Sequence, residues 1–120
     1  QLDYVMLDAL TFPDNGKMRP LWVNGVVFKD PQDFMERYVS YTLQVIADSI
    51  DIWCNPTYLP ISLQAQYDQL WTEERMKKVI DAAVKYNVAI EINTSAKIPS
   101  KKFILLAKEA RSIKFVIRNS

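Results

Sequence analysis

Residues 50–93 read IDIWCNPTYLPISLQAQYDQLWTEERMKKVIDAAVKYNVAIEIN, and this stretch decides the fold. A short apolar run over residues 50–54 stops at Asn55-Pro56, an amphipathic helix follows, and a second apolar run over residues 88–92 closes the unit. Thr72 is placed to cap the helix, and Glu73 and Glu74 sit in its first turn beside the positive end of the helix dipole. Met76, Val79, Ile80, Ala83 and Val84 recur at helical spacing, giving one apolar face. Strand, helix, strand in this order is a β-α-β crossover. In parallel α/β proteins ligands and reacting groups gather at the carboxyl ends of the strands. Asn55, Glu91 and Asn93 stand there.

Working outward, Asp30-Pro31 opens a helix predicted to run to about Ser49, with Asp as N-cap and Pro at the first helical position. Phe34, Tyr38, Tyr41, Val45 and Ile46 form its face, widened by Met35, Val39 and Leu43. Upstream, residues 2–8 (LDYVMLD) read as a buried strand and Asp14-Asn15-Gly16 as a turn. Asn24-Gly25, between apolar pairs in residues 21–28, predicts a small hairpin or flap. Downstream, Pro99 is expected to start a helix through about Ala110, with Phe103, Leu106, Ala107 and Ala110 facing the sheet, and residues 113–117 form a last strand. The expected fold class is therefore α/β: parallel β-α units, a partial (βα) barrel of about four strands and three to four helices with a small flap after strand one. Crossover lengths suit right-handed connections. An abrupt four-strand sheet beginning at Gln1 rather than Met suggests part of a larger barrel, here in a single domain over residues 1–120.

Composition narrows the function classes. Hydrophobic residues make up 49% of the 120, charged residues 24%, and Gly numbers 2, which is ordinary for a globular protein. Fifteen Lys and Arg against 14 Asp and Glu leave a formal charge of +1, too small for the counterion release that drives nucleic-acid binding. No run approaches the ~20 apolar residues of a membrane span, and no signal-peptide pattern opens the chain. A soluble protein is expected, with the cytoplasm favoured. The one cysteine, Cys54, has no partner for a disulfide and no histidine to act as its base, so it reads as a small core residue.

The segments IDIWCNPTYLP, LWTEERMKKVIDAAVKYNVAIEIN and KIPSKKFILLAKEARSIKFVI together resemble the C-terminal part of the polymerase and histidinol phosphatase (PHP) superfamily, over residues 50–117 and more loosely 3–10. That family runs as a strand ending in His-Pro, a helix, a strand reading Glu-x-Asn, then a helix and a strand ending in Ser-Asp-x-His. The resemblance implies a distorted barrel of seven βα units that binds two or three metal ions and hydrolyses phosphoesters. The histidine of His-Pro falls on Asn55, with Pro56 matching. The one after the first strand falls near Asp8 or Leu10, and the terminal motif falls on Arg118, Asn119 and Ser120. The family's first His-x-His would lie upstream of Gln1. Each inspected imidazole position holds another residue, so a site of Asp8, Asn55, Glu91 and Asn93 would favour magnesium or calcium over zinc. The implied cofactor is a divalent metal, magnesium, manganese or zinc, with Asp8 and Asn55 as candidate ligands.

Asp8 and Glu91 also form a candidate acid/base pair. Beside that stands a plainer reading, in which Glu91 is hydrogen-bonded inside a barrel and Asp8 caps a turn. Residues 93–102 lead into a helix N-terminus, where Lys97, Lys101 and Lys102 add charge for an anion. Asn55, Asn93, Lys97 and Tyr58 are the candidate substrate contacts; Trp22, Trp53, Trp71 and Tyr67 are either cleft or core. Two functions remain: a metal-dependent, phosphoesterase-like hydrolase acting on a small anionic substrate, and a non-catalytic relative that binds a ligand or partner in the same cleft. In either, open sheet edges predict self-association into a homo-oligomer.

Overall fold

The computed structural model describes residues 4–119. Four strands, β1 (Met6–Asp8), β4 (Ile52–Cys54), β5 (Ala89–Asn93) and β6 (Lys114–Arg118), form one sheet in the order β1-β4-β5-β6, with every neighbouring pair parallel. Three helices, α1 (Pro31–Ile46), α3 (Glu73–Lys85) and α4 (Lys101–Glu109), connect these strands. The chain is thus an α/β protein of parallel β-α units, as its apolar runs and helical spacings predict.

Local chemistry explains the element ends. The Asp30 carboxylate accepts from the Asp33 N–H at 3.1 Å to start α1, and Thr72 Oγ1 accepts from the Arg75 N–H at 3.2 Å to start α3. α1 ends at Ile46 rather than near Ser49; Ser49 itself turns into the left-handed region, φ 59°, which a continuing helix cannot hold. α4 begins at Lys101, not Pro99, because Ser100 takes the capping place and its Oγ accepts from the Phe103 N–H at 3.2 Å. The strands start later than their apolar runs do: β4 at Ile52, β5 at Ala89, β6 at Lys114. β1 covers only Met6–Asp8 of the predicted residues 2–8, of which residues 1–3 lie outside the described part.

The flap is a hairpin, but at a different place. β2 (Thr11–Asp14) and β3 (Lys17–Pro20) pair antiparallel around Asn15-Gly16, whose φ values of 52° and 83° suit a two-residue turn that follows the strand twist. Residues 21–28 form no strand. Their two ends, Leu21 and Phe28, are drawn into the core, while Val27 and Trp22 lie exposed, so the apolar pairs flanking Asn24-Gly25 do not face each other. The earlier hairpin is anchored by Phe12, packed edge-on against Phe34, Tyr38 and Tyr41 of α1. Asp14 joins Arg19 across the hairpin and Arg37 of α1. A 3-10 turn at Ile61–Gln66 and a short helix, α2 (Tyr67–Leu70), were not legible from periodicity. They carry Leu63, Leu70 and Trp71 into the core.

Trp53, Leu7 and Ile90 are buried in register beneath the helices, with Phe103 of α4 edge-on to Trp53 at 6.0 Å. In α1 the buried stripe is Phe34, Met35, Tyr38, Val39, Thr42 and Ile46, with Tyr41, Leu43 and Val45 at its margin. Among the described residues, no helix is long and apolar enough to cross a membrane.

Candidate functional site

Each parallel strand delivers a polar residue to its carboxyl end, and these meet. Asn55 follows β4 directly and adopts φ 49°, a left-handed conformation that Asn tolerates better than most residues. This turn lets its backbone N–H donate to Glu91 Oε1 of β5 at 2.9 Å. Its side-chain amide donates to Asp8 Oδ1 of β1 at 3.1 Å, and its Oδ1 accepts from the Arg118 guanidinium of β6 at 3.1 Å. Arg118 Nε also lies 3.4 Å from Glu91 Oε2. Asn93 completes the floor: its amide reaches Asn55 Oδ1 at 3.5 Å, and its own Oδ1 accepts from the Ala96 N–H at 3.1 Å. Glu91 is only 6% exposed, and its charge is met by Arg118 and a backbone donor, as a buried carboxylate requires.

Asp8, Asn55, Glu91 and Asn93 are therefore assembled in one network. Asp8 fits both of its readings, since Oδ1 also accepts from the Leu10 N–H at 3.0 Å and so holds the turn after β1. Cys54 is half-buried beside the network, 3.7 Å from the Met6 sulfur. Burial, followed by the charges of Glu91 and Asp8, pushes its thiol up to about 11, so it is protonated at neutral pH and a poor nucleophile.

Tyr58 and Lys97 lie on an adjoining cleft of about 400 Å³, whose walls also include Thr57, Gln64, Tyr67 and Ser100. The walls are braced from behind: Tyr67 Oη donates to Thr57 Oγ1 at 2.7 Å, and Tyr38 Oη donates to the Tyr58 carbonyl at 2.7 Å. Thr57, φ 68°, is a β-branched residue in the left-handed region, a strain that the surrounding bonds must hold. Lys97 has no carboxylate partner among the described residues. The loop carrying it is tied to the network, because the Asn93 N–H donates to the Ile98 carbonyl at 2.7 Å and Ile98 returns the bond at 3.2 Å.

Arg118 is the residue of this network that sequence reasoning did not single out. The signal was present, since it ends the fourth strand as Asn55 and Asn93 end theirs, but the match to a histidine motif drew attention to what was missing there. The donor set, as it stands, fits a divalent cation poorly. Among the described residues no three of His, Cys, Asp and Glu are placed to hold a metal ion together, and Asn55 Oδ1 already accepts from a guanidinium that brings its own positive charge.

Fold and site together define the chain as a parallel α/β protein whose polar groups converge at the strands' carboxyl ends. Set against models of known families, curated proteins and solved structures, the chain matches none of them.

Proposed function

We propose that the chain binds a small anionic ligand in the cleft beside the Asn55 network, with Lys97 as counter-charge and Tyr58 as an aromatic wall. The observation that carries this reading is Lys97, without a carboxylate partner among the described residues, on the wall of a 400 Å³ cleft at the strand ends. Apolar walls with a few convergent polar groups are what small-molecule sites are made of. Glu91 supports binding over chemistry, because both of its oxygens already serve Asn55 and Arg118. Phosphate esters with a small aromatic body match the cleft's charge and lining.

A second reading, phosphoesterase-like hydrolysis, is favoured by one atom. Asp8 Oδ2 accepts no hydrogen bond among the described residues, whereas Oδ1 accepts two. A free carboxylate oxygen at a strand end is the minimum a general base needs. Titration calorimetry with phenyl phosphate, run beside a p-nitrophenyl phosphate assay with and without manganese, separates the two. Binding that weakens about tenfold or more in Lys97→Ala, equivalent to about 1.4 kcal/mol, without turnover, supports the binding reading. Turnover that Asp8→Asn abolishes would favour the hydrolase instead. Absence of binding by both phenyl phosphate and inorganic phosphate sinks the proposal.

A further inference from the structure

Among the described residues, helices cover the four-stranded sheet on one side only. Leu7, Trp53 and Ile90 point under the helices, whereas Met6, Ile52, Ala89 and Val116 alternate to the opposite side, which they share with Asp8, Cys54, Glu91, Lys114 and Arg118. Met6 is 59% and Val116 39% exposed. Parallel sheets are ordinarily buried on both faces, so exposed apolar side chains beside a polar layer at the strands' carboxyl ends mark a missing contact. A hollow of about 400 Å³ lies on this face, lined by Tyr4, Ile52, Ala89 and Val116 and rimmed by Asp51, Asn87 and Lys114.

Among the described residues β1 pairs only with β4 and β6 only with β5, which leaves a free edge on both outer strands. The two edges differ in charge. β1 carries an exposed carboxylate, Asp8, and β6 carries two exposed cations, Lys114 and Arg118. Opposite charge favours β1 against β6 of another copy, while β6 against β6 would set cations side by side. A two-fold axis running along the strands satisfies the favourable pairing twice, with every strand still parallel.

We infer that two copies of this chain join β1 of each to β6 of the other, closing an eight-stranded parallel barrel whose interior holds Met6, Ile52, Ala89 and Val116 of both, with Asp8 of one copy facing the cations of β6 of the other across each seam. Eight is the strand number at which side chains just fill a barrel interior, and closure leaves no free edge. The helices already lie on the outer side, as such a barrel requires. Both Asn55 networks then open at the same mouth. The inference rests on the bare face and its edges, and is independent of the ligand proposal.

Sedimentation and light scattering of the 120-residue chain over the micromolar range should find a discrete species of two copies and nothing larger. Val116→Lys, at an exposed position, should raise the dissociation constant at least tenfold while leaving the circular dichroism spectrum unchanged. Met6→Lys, on the other edge strand, should do the same and guards against one variant failing to fold. Three results would overturn the inference: a monomer throughout that range, a ladder of growing oligomers without a dimer plateau, or a dimer indifferent to both substitutions in natively folded variants.

Discussion

Asn55 links three other strands through one residue, reaching Asp8 of β1, Glu91 of β5 and Arg118 of β6. Two contributions can be separated by substitution. Asn55→Gly removes the amide but keeps the left-handed turn, while Asn55→Ala removes the amide and adds a steric cost of about 1 kcal/mol. Urea unfolding should therefore rank Asn55→Ala below Asn55→Gly, and both below the parent by about 1–3 kcal/mol for the unsatisfied partners left behind. Equal stabilities would mean that the turn is unstrained. Cys54 gives a second residue-scale outcome. Because burial and then the neighbouring carboxylates raise its thiol to about 11, alkylation by iodoacetamide at pH 7 should be far slower than for free cysteine and should climb as pH approaches that value. Fast alkylation at neutral pH would contradict the described surroundings. At this scale the strand-end rule located Asn55 and Asn93 from sequence alone, since crossover topology sets where strands finish, whereas Glu91 lies at the centre of β5 and joins the network through its side chain. The rule could not reveal that Asn55 would spend its whole side chain on its neighbours, because that depends on the φ 49° turn, which no spacing announces.

Among the elements, α3 is the one whose boundaries the sequence states most fully, with Thr72, Glu73 and Glu74 at its start and Lys85 in its last turn. Thr72→Ala should cost about 1 kcal/mol, the usual worth of a cap, measured by chemical denaturation; a neutral result would mean water replaces the Oγ1 contact. The hairpin carries a pH dependence. The Arg19 guanidinium, with Arg37 beside it, holds the Asp14 carboxyl below its ordinary 3.8. A lowered folded-state value gives stability that is present above the unfolded value and lost as pH falls through the folded one. The melting temperature should thus drop on acidification below about pH 4, and Asp14→Asn should remove part of that slope, worth up to about 1 kcal/mol for a partly exposed pair. The hairpin was misplaced in the sequence because Asn15-Gly16 and Asn24-Gly25 offer the same turn chemistry. What separates them is tertiary: Phe12 finds three rings on α1, and Leu21 and Phe28 are worth more in the core than opposite each other.

For the molecule as a whole, the three tryptophans divide cleanly. Trp53 and Trp71 are buried and Trp22 is 56% exposed. Iodide should quench only the Trp22 share of the fluorescence in the folded chain and all of it in urea; full quenching without denaturant would exclude this packing. The parallel order of the sheet was readable because apolar runs alternate with helical periods. The irregular stretch carrying the 3-10 turn and α2 was not, since short turns of helix bury single residues without a repeat. The same order of strands has a kinetic side. Ala89 meets Lys114 across α4 alone, whereas Met6 must wait for Ile52 with a hairpin and the longest helix between them. Loop closure of that kind slows folding and leaves the first strand for last. Stopped-flow chevrons should then show Ile90→Val slowing refolding, and Leu7→Ala chiefly hastening unfolding. A copy refolding from urea would pass through a state in which its carboxyl-terminal strands are paired before β1 has docked.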